Sequence, residues 1–243
     1  MTTPLAHFRV RTPGIALLLA VCCGSGQPFA QDRATPRELT RARLEVPQLI
    51  RDLELAPGMT VADVGAGYGA TPLVLTRTLG PRSLVYATEA GRNALAALHA
   101  MVAREKLEHV VVIEGTVLST NLPAGCCDAA ILRDVYHHLS HPAAIAVSLA
   151  NALKPGGRLA IVDFEPEPGS APLPGVPASR TGHGIAPDLV VQELRAAGLT
   201  HVRTVAPWPK SSGQDFYLIL FTKTKAEPEV APSEPTAPAA PGH

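Results

Sequence analysis

The sequence carries no surplus of either charge, with 21 Lys and Arg against 21 Asp and Glu in 243 residues. A nucleic-acid or anionic-surface partner leaves its mark as a basic patch or a basic domain, and the composition shows neither. Long apolar runs are also missing. GIALLLAVCC, Gly14 to Cys23, is too short to span a bilayer, which needs about 20 residues. Cysteine is scarce, four residues in two adjacent pairs, and that excludes a disulfide framework. Cys126 and Cys127 neighbour each other in a strand-like run, where a bond between them would be strained. They read as a buried pair of thiols, and without partners at ligand spacing no metal is expected. No internal repeat is visible either.

What is present divides the chain into three. Residues 1–30 combine Arg9 and Arg11, the short apolar run and small residues after it, the layout of a signal peptide or membrane-targeting segment, with cleavage after Ala30 or Gly26. No Arg-Arg pair occurs, so export of an already folded chain has no visible signal. On this reading the chain is exported to the periplasm or envelope; a cytoplasmic location is the alternative. Residues 225–243 include prolines at 228, 232, 235, 238 and 241, a composition that builds no core and predicts a disordered tail. Residues 35–224 remain for one domain, long enough to bury a full core.

Within that domain, apolar strand-like runs alternate with helical patterns. MTVADVG, SLVYATE, HVVVIEG, CDAAILRD, RLAIVDF, THVRTVAP and DFYLILFTK read as seven strands. Helical segments fall between most of them, and a helix restarted at Pro47 precedes the first. Near-continuous apolar strands alternating with helices predict a parallel sheet covered on both faces, a three-layer α/β sandwich. The last two strands are joined by a short connection, so the seventh should run antiparallel.

VADVGAGYGA places Gly65, Gly67 and Gly69 directly after the first strand. In such a sheet ligands sit at the carboxyl ends of the strands, and glycines there let the backbone approach them without a Cβ between. Glu89 ends the second strand, where a carboxylate can accept both hydroxyls of a ribose. The loop therefore points to a ligand with an adenosine-like half. Gly65, Gly67 and Ala70 also satisfy the looser dinucleotide fingerprint, which leaves a nicotinamide-dependent oxidoreductase as a competing reading.

The ordered set VADVGAGYGA, VYATE, LPAGCCDAAILRDVYHHLSHP, LKPGGRLAIVDF and ELRAAGL resembles the class I S-adenosylmethionine-dependent methyltransferases, particularly the type 11 and ubiquinone-biosynthesis group. That resemblance implies a Rossmann-like sheet in the order 3-2-1-4-5-7-6, S-adenosyl-L-methionine as cofactor and a small-molecule methyl acceptor as partner. It also implies that Gly65, Gly67 and Gly69 line the methionine part, that Asp63 supports that end and that Glu89 binds the ribose. Arg133, closing the fourth strand, joins the cofactor-binding set. The family's acid after strand three is replaced by GTVLSTNLP, so Thr116, Ser119 or a backbone carbonyl would meet the adenine. A third reading is an exported, non-catalytic binding protein on the same fold.

DVYHHL, after strand four, leaves the sheet at the edge of this crevice. Methyl transfer mainly needs positioning, and a base only if the nucleophile carries a proton. Asp134, Tyr136 and His137 are the catalytic candidates, with His138 titrating in the same range. The histidines could equally satisfy buried carbonyls, and His141 simply starts the next helix. Glu165 to Pro187 forms a long Pro- and Gly-rich connection of the kind used as a lid. Arg180 and His183 are its plausible polar contacts, and Trp208 reads as a core or rim packer.

Overall fold

A computed structural model describes residues 33–209 and 215–225. The expected signal segment and nearly all of the expected tail lie outside the described residues. The elements run α1 (Pro36–Asp52), β1 (Thr60–Val64), α2 (Ala70–Leu79), β2 (Leu84–Glu89), α3 (Arg92–Glu105), β3 (Val110–Glu114), β4 (Cys127–Arg133), α4 (Pro142–Ala152), β5 (Leu153–Phe164), α5 (Pro187–Ala196), β6 (Leu199–Val205) and β7 (Phe216–Lys223). The seven strands form one sheet, ordered β3-β2-β1-β4-β5-β7-β6. β7 pairs antiparallel with both β5 and β6, and the other neighbours are parallel.

Strand side chains alternate between faces with period two. Ala129 and Ile131 of β4 pack with Val46, Leu49, Leu75 and Leu98 of the first three helices. Ala130 and Leu132 pack on the opposite face with Ile145, Leu149, Val190 and Leu194 of α4 and α5. These two cores make the three layers. All the parallel strands end at one rim of the sheet, and the site lies there.

α1 begins with a capping box, Thr35 and Glu38 satisfying each other's backbone amides, and with Pro36 in its first turn. It does not restart at Pro47, contrary to the sequence expectation: Pro47 lies inside one continuous helix. An interior proline costs about 3 kcal/mol through the lost hydrogen bond and the ring clash. Burial of Ala42, Val46 and Leu49 and a bidentate pairing of Glu45 with Arg133 at 3.1 Å offset that cost. α4 stops at Ala152, because Leu153 already joins the sheet. In LKPGGR, Gly157 leaves no room for a side chain: a Cβ there would sit 3.2 Å from the carbonyl oxygens of Cys127 and Asp128. Cys126 and Cys127 are joined by a disulfide, which corrects the reading of them as free thiols: adjacency brings the two sulfurs within bonding reach.

Candidate active site

β1 delivers Asp63 to the rim, and the chain then turns through Gly65, Gly67 and Gly69, all with positive φ, into α2. The three glycines serve different ends. A Cβ at Gly65 would overlap Val135, and one at Gly69 would overlap Met101, so these two are fixed by packing. A Cβ at Gly67 meets nothing within 4 Å. Gly69 is absent from the walls of both cavities described next, whereas Gly65 and Gly67 are on them.

Two cavities flank this turn. The first, about 200 Å³, is walled by Val64, Thr88, Glu89, Thr116, Val117 and Ile145 and is mostly apolar. The second, about 380 Å³, is charged, with Arg41, Asp63, Gly67, Tyr68, Arg133 and Asp134 on its walls. Gly65 and His138 line both. Together they fall in the range of small-molecule sites, about 300–1,000 Å³.

Glu89 is built into the glycine turn. One oxygen accepts from Gly67 N at 2.9 Å, the other from Ala90 N and Gly91 N, each at 2.9 Å. Thr116 lines the first cavity, but its hydroxyl oxygen accepts from the amides of Leu118 and Ser119 and so holds its own turn. Asp63 is buried, and among the described residues its Oδ2 has no hydrogen-bond partner. Burial, and secondarily the negative charge of Glu89, push its carboxyl up to about 7. Such an orphaned acceptor favours a cationic ligand group, since a buried unpaired carboxylate is costly.

Arg133 is on the wall of the second cavity with its guanidinium already engaged. It pairs with Glu45, donates to Asp134 Oδ2 at 2.9 Å, and lies 4.4 Å from the centre of the Phe216 ring. Asp134 takes a positive φ of 61°, turning the chain from β4 into a single 3₁₀ turn, Tyr136–His138. That turn separates the three candidates after it. Tyr136 is fully buried; burial and Glu193 raise its hydroxyl far above the usual phenol range. His137 is also buried, its Nδ1 2.8 Å from Asp163 Oδ1 and its amide donating to Asp163 Oδ2. A carboxylate only accepts, so Nδ1 is the donor in that contact, and Nε2 is without a partner among the described residues. Neither Tyr136 nor His137 reaches the two cavities; the adjacent His138 does. Partial burial and the neighbouring His137 lower the His138 pKa, which favours the neutral, proton-accepting form of its ring.

The lid-like connection contributes unevenly. Arg180 is buried in a bidentate pair with Glu193 at 3.1 and 3.2 Å, which anchors the loop to α5. His183 instead packs on the His137 and Phe164 rings, centroids 5.0 and 5.1 Å away. Trp208 is a core residue whose indole donates to Asp52. Asp134, His137 and Asp163 bring ligand-type atoms within 4.8 Å of one another. Both Asp163 oxygens already accept hydrogen bonds and Asp134 pairs with Arg133, so these donors are committed within the protein.

Residues 62–161 match the family model described as a methyltransferase domain. This stretch is a methyltransferase domain. Its fold is similar to that of a SAM-dependent methyltransferase from Aquifex aeolicus, with 24% identity over 78% of this chain and 99% of that one and a TM-score of 0.60. It is also similar to Haemonchus contortus phosphoethanolamine N-methyltransferase 2, solved with S-adenosyl-L-methionine, at 14% identity over 74% and 52% of the two chains, TM-score 0.59. A possible exported protein from Bordetella parapertussis is 17% identical over 79% and 68%, TM-score 0.57. The sheet order of the methyltransferase domain disposes of the dinucleotide alternative: β7 and β6 close it antiparallel, where a second mononucleotide half would continue in parallel. The orphaned Asp63 oxygen, the open face of Gly67 and the carboxylate beside an apolar cavity fit the ammonium and ribose of S-adenosyl-L-methionine.

Proposed function

We propose that this methyltransferase domain methylates a small-molecule acceptor, with Glu89 holding the ribose, Asp63 the amino-acid end of the cofactor, and His138 accepting the acceptor's proton. The observation that carries this reading is the position of His138, on the walls of both the nucleoside-sized apolar cavity and the charged one. When bound, the cofactor supplies an electrophilic methyl group on a sulfonium. The chain's part is to hold the partners in line and to take a proton where the nucleophile carries one. A neutral His138 suits that task, and His137, locked by Asp163, supports it from beneath at a ring separation of 4.1 Å. Incubation with S-adenosylmethionine and a panel of hydroxyl, thiol and amine acceptors, followed by mass spectrometry for S-adenosylhomocysteine and methylated product, tests the reading. Failure to bind S-adenosylhomocysteine, or acceptor-dependent turnover unaffected by His138→Ala, removes it.

The same reading places the working protein outside the cytoplasm. The basic start, the short apolar run and the small residues of positions 1–30 support this, as does the likeness to a possible exported protein. N-terminal sequencing of the native protein after cell fractionation tests it; an intact Met1 in the cytosolic fraction ends it.

A further inference from the structure

The even balance of acids and bases along the chain hides a segregation on α1. Its inner face buries Ala42, Val46 and Leu49. Its carboxylates are all engaged: Glu38 accepts from the Thr35 amide, Glu45 pairs with Arg133, and Asp52 takes Arg203 and the Trp208 indole. The outer face differs. Residues three and four apart share one side of a helix, and Arg37, Thr40, Leu44, Pro47 and Arg51 recur at that spacing, every one exposed, with exposed Arg43 beside them. No hydrogen bond or ion pair forms to the guanidinium of Arg37, Arg43 or Arg51 among the described residues. Leu44, in the middle of the stripe, is 57% exposed.

A helix face turned only to water ordinarily mixes both signs, with acids and bases pairing across one turn. This face carries a single sign around an apolar centre. From Arg37 to Arg51 it extends about 21 Å, long enough to meet several anionic groups at once. Guanidinium forks match phosphate oxygens in pairs, an anionic leaflet attracts each arginine held at its surface, and a leucine among them suits the boundary between headgroups and acyl chains. We propose that the outer face of α1 docks the domain on a membrane rich in anionic phospholipids. Position in the chain agrees: the apolar run Gly14 to Cys23 precedes α1 with only residues 24–35 between, so a membrane that takes up that run is within tether length of the stripe. Among the described residues no helix is long and apolar enough to cross a membrane, and α1, with its opposite face in the core, lies along the surface. Glu38 and Arg41, which line the charged cavity, lie off the stripe, so docking leaves that wall untouched. The contact is independent of the catalytic reading and would hold the domain at a bilayer after removal of residues 1–30.

Flotation of the full chain with lipid vesicles tests this, on wild type and three triple variants. Arg37→Gln, Arg43→Gln and Arg51→Gln together remove the charge of the stripe, and the matching Arg→Lys set keeps it. Arg82→Gln, Arg92→Gln and Arg195→Gln remove the same charge from exposed positions elsewhere. The vesicles are pure phosphatidylcholine, or equimolar phosphatidylcholine and phosphatidylglycerol. Wild type should bind the mixed vesicles more tightly than the neutral ones, and the preference should fade as salt rises. The Gln stripe variant should lose about 10- to 100-fold on mixed vesicles, while its binding to phosphatidylcholine, which reads the apolar run, stays unchanged. The Lys variant and the control variant should remain within about 3-fold of wild type. Equal losses in the stripe and control variants overturn the proposal, since net charge and not a face would then be at work. So does a Gln stripe variant within about 2-fold of wild type on mixed vesicles, or a wild type that binds duplex DNA while ignoring anionic vesicles. Melting temperatures equal to wild type, expected for exposed side chains, tie any loss to the surface itself.

Discussion

The amide of Gly67 donates to Glu89 Oε2 over 2.9 Å, so a single carboxylate ties the glycine turn to the end of the neighbouring strand. Its other oxygen holds Ala90 and Gly91. Glu89→Ala would strip three backbone amides of their acceptor and remove the ribose contact together. The expected outcome is a loss of about 10- to 100-fold in S-adenosylhomocysteine affinity, measured by calorimetry, with faster amide exchange at Gly67. Glu89→Gln, which keeps an acceptor oxygen, should lose less.

The glycines of the turn should separate by experiment. Gly65→Ala drives a methyl group into Val135 at a positive φ and is expected to cost about 2–4 kcal/mol of stability. Val135→Ala in the same chain should recover part of it. Gly67→Ala meets open space and carries only the backbone penalty of about 1–2 kcal/mol, so its main effect should appear in ligand affinity. Urea melts and calorimetry on the three variants check this.

Asp63 makes stability and binding respond oppositely to pH. Folding raises its carboxyl from 3.8 to about 7, so the folded protein holds that proton more tightly than the unfolded chain. The stabilising contribution is full below 3.8 and is lost as pH rises toward 7, by an amount on the order of a few kcal/mol. Asp63→Asn should flatten that slope in denaturation midpoints compared at pH 5 and 7.5. A ligand ammonium prefers the carboxylate, so wild-type affinity for S-adenosylhomocysteine should rise through the same window and Asp63→Asn should lose the rise.

His137 and His138 should fail differently. His137→Ala leaves the buried Asp163 carboxylate without its ring partner and is expected to destabilise the fold by about 3–5 kcal/mol. His138 is exposed at the cavity junction, and His138→Ala should leave the melting temperature nearly unchanged. Its turnover of a proton-bearing acceptor should fall by about 10²- to 10⁴-fold, with the acid limb of the pH–rate profile lost.

Much of the domain was legible residue by residue. The near-continuous apolar runs of the middle strands, β4 among them, announce a sheet covered on both faces, and Gly65, Gly67 and Glu89 fall where a strand-end ligand site requires them. Pro47 was misread because a local helix signal was weighed without the packing that overrides it, namely Ala42, Val46 and Leu49 against the core and Glu45 on Arg133. Arg41 carried a signal, a charge at helical spacing from Glu38 and Glu45, but nothing in the spacing says what that face meets.

The sequence by itself determined the layers, the strand order that its family resemblance implied, and the turn where a ligand approaches the backbone. These depend on periodicity and on glycine conformations, which are local. Only the tertiary structure decided that His138 and not His137 reaches the cavities, that Arg133 is consumed by Glu45 and Asp134, and that Asp63 is buried beside the charged cavity with one oxygen unpartnered among the described residues. Those outcomes turn on the direction a side chain takes out of one 3₁₀ turn and on which charges from separate elements come within hydrogen-bonding distance, and no pattern along the chain encodes either.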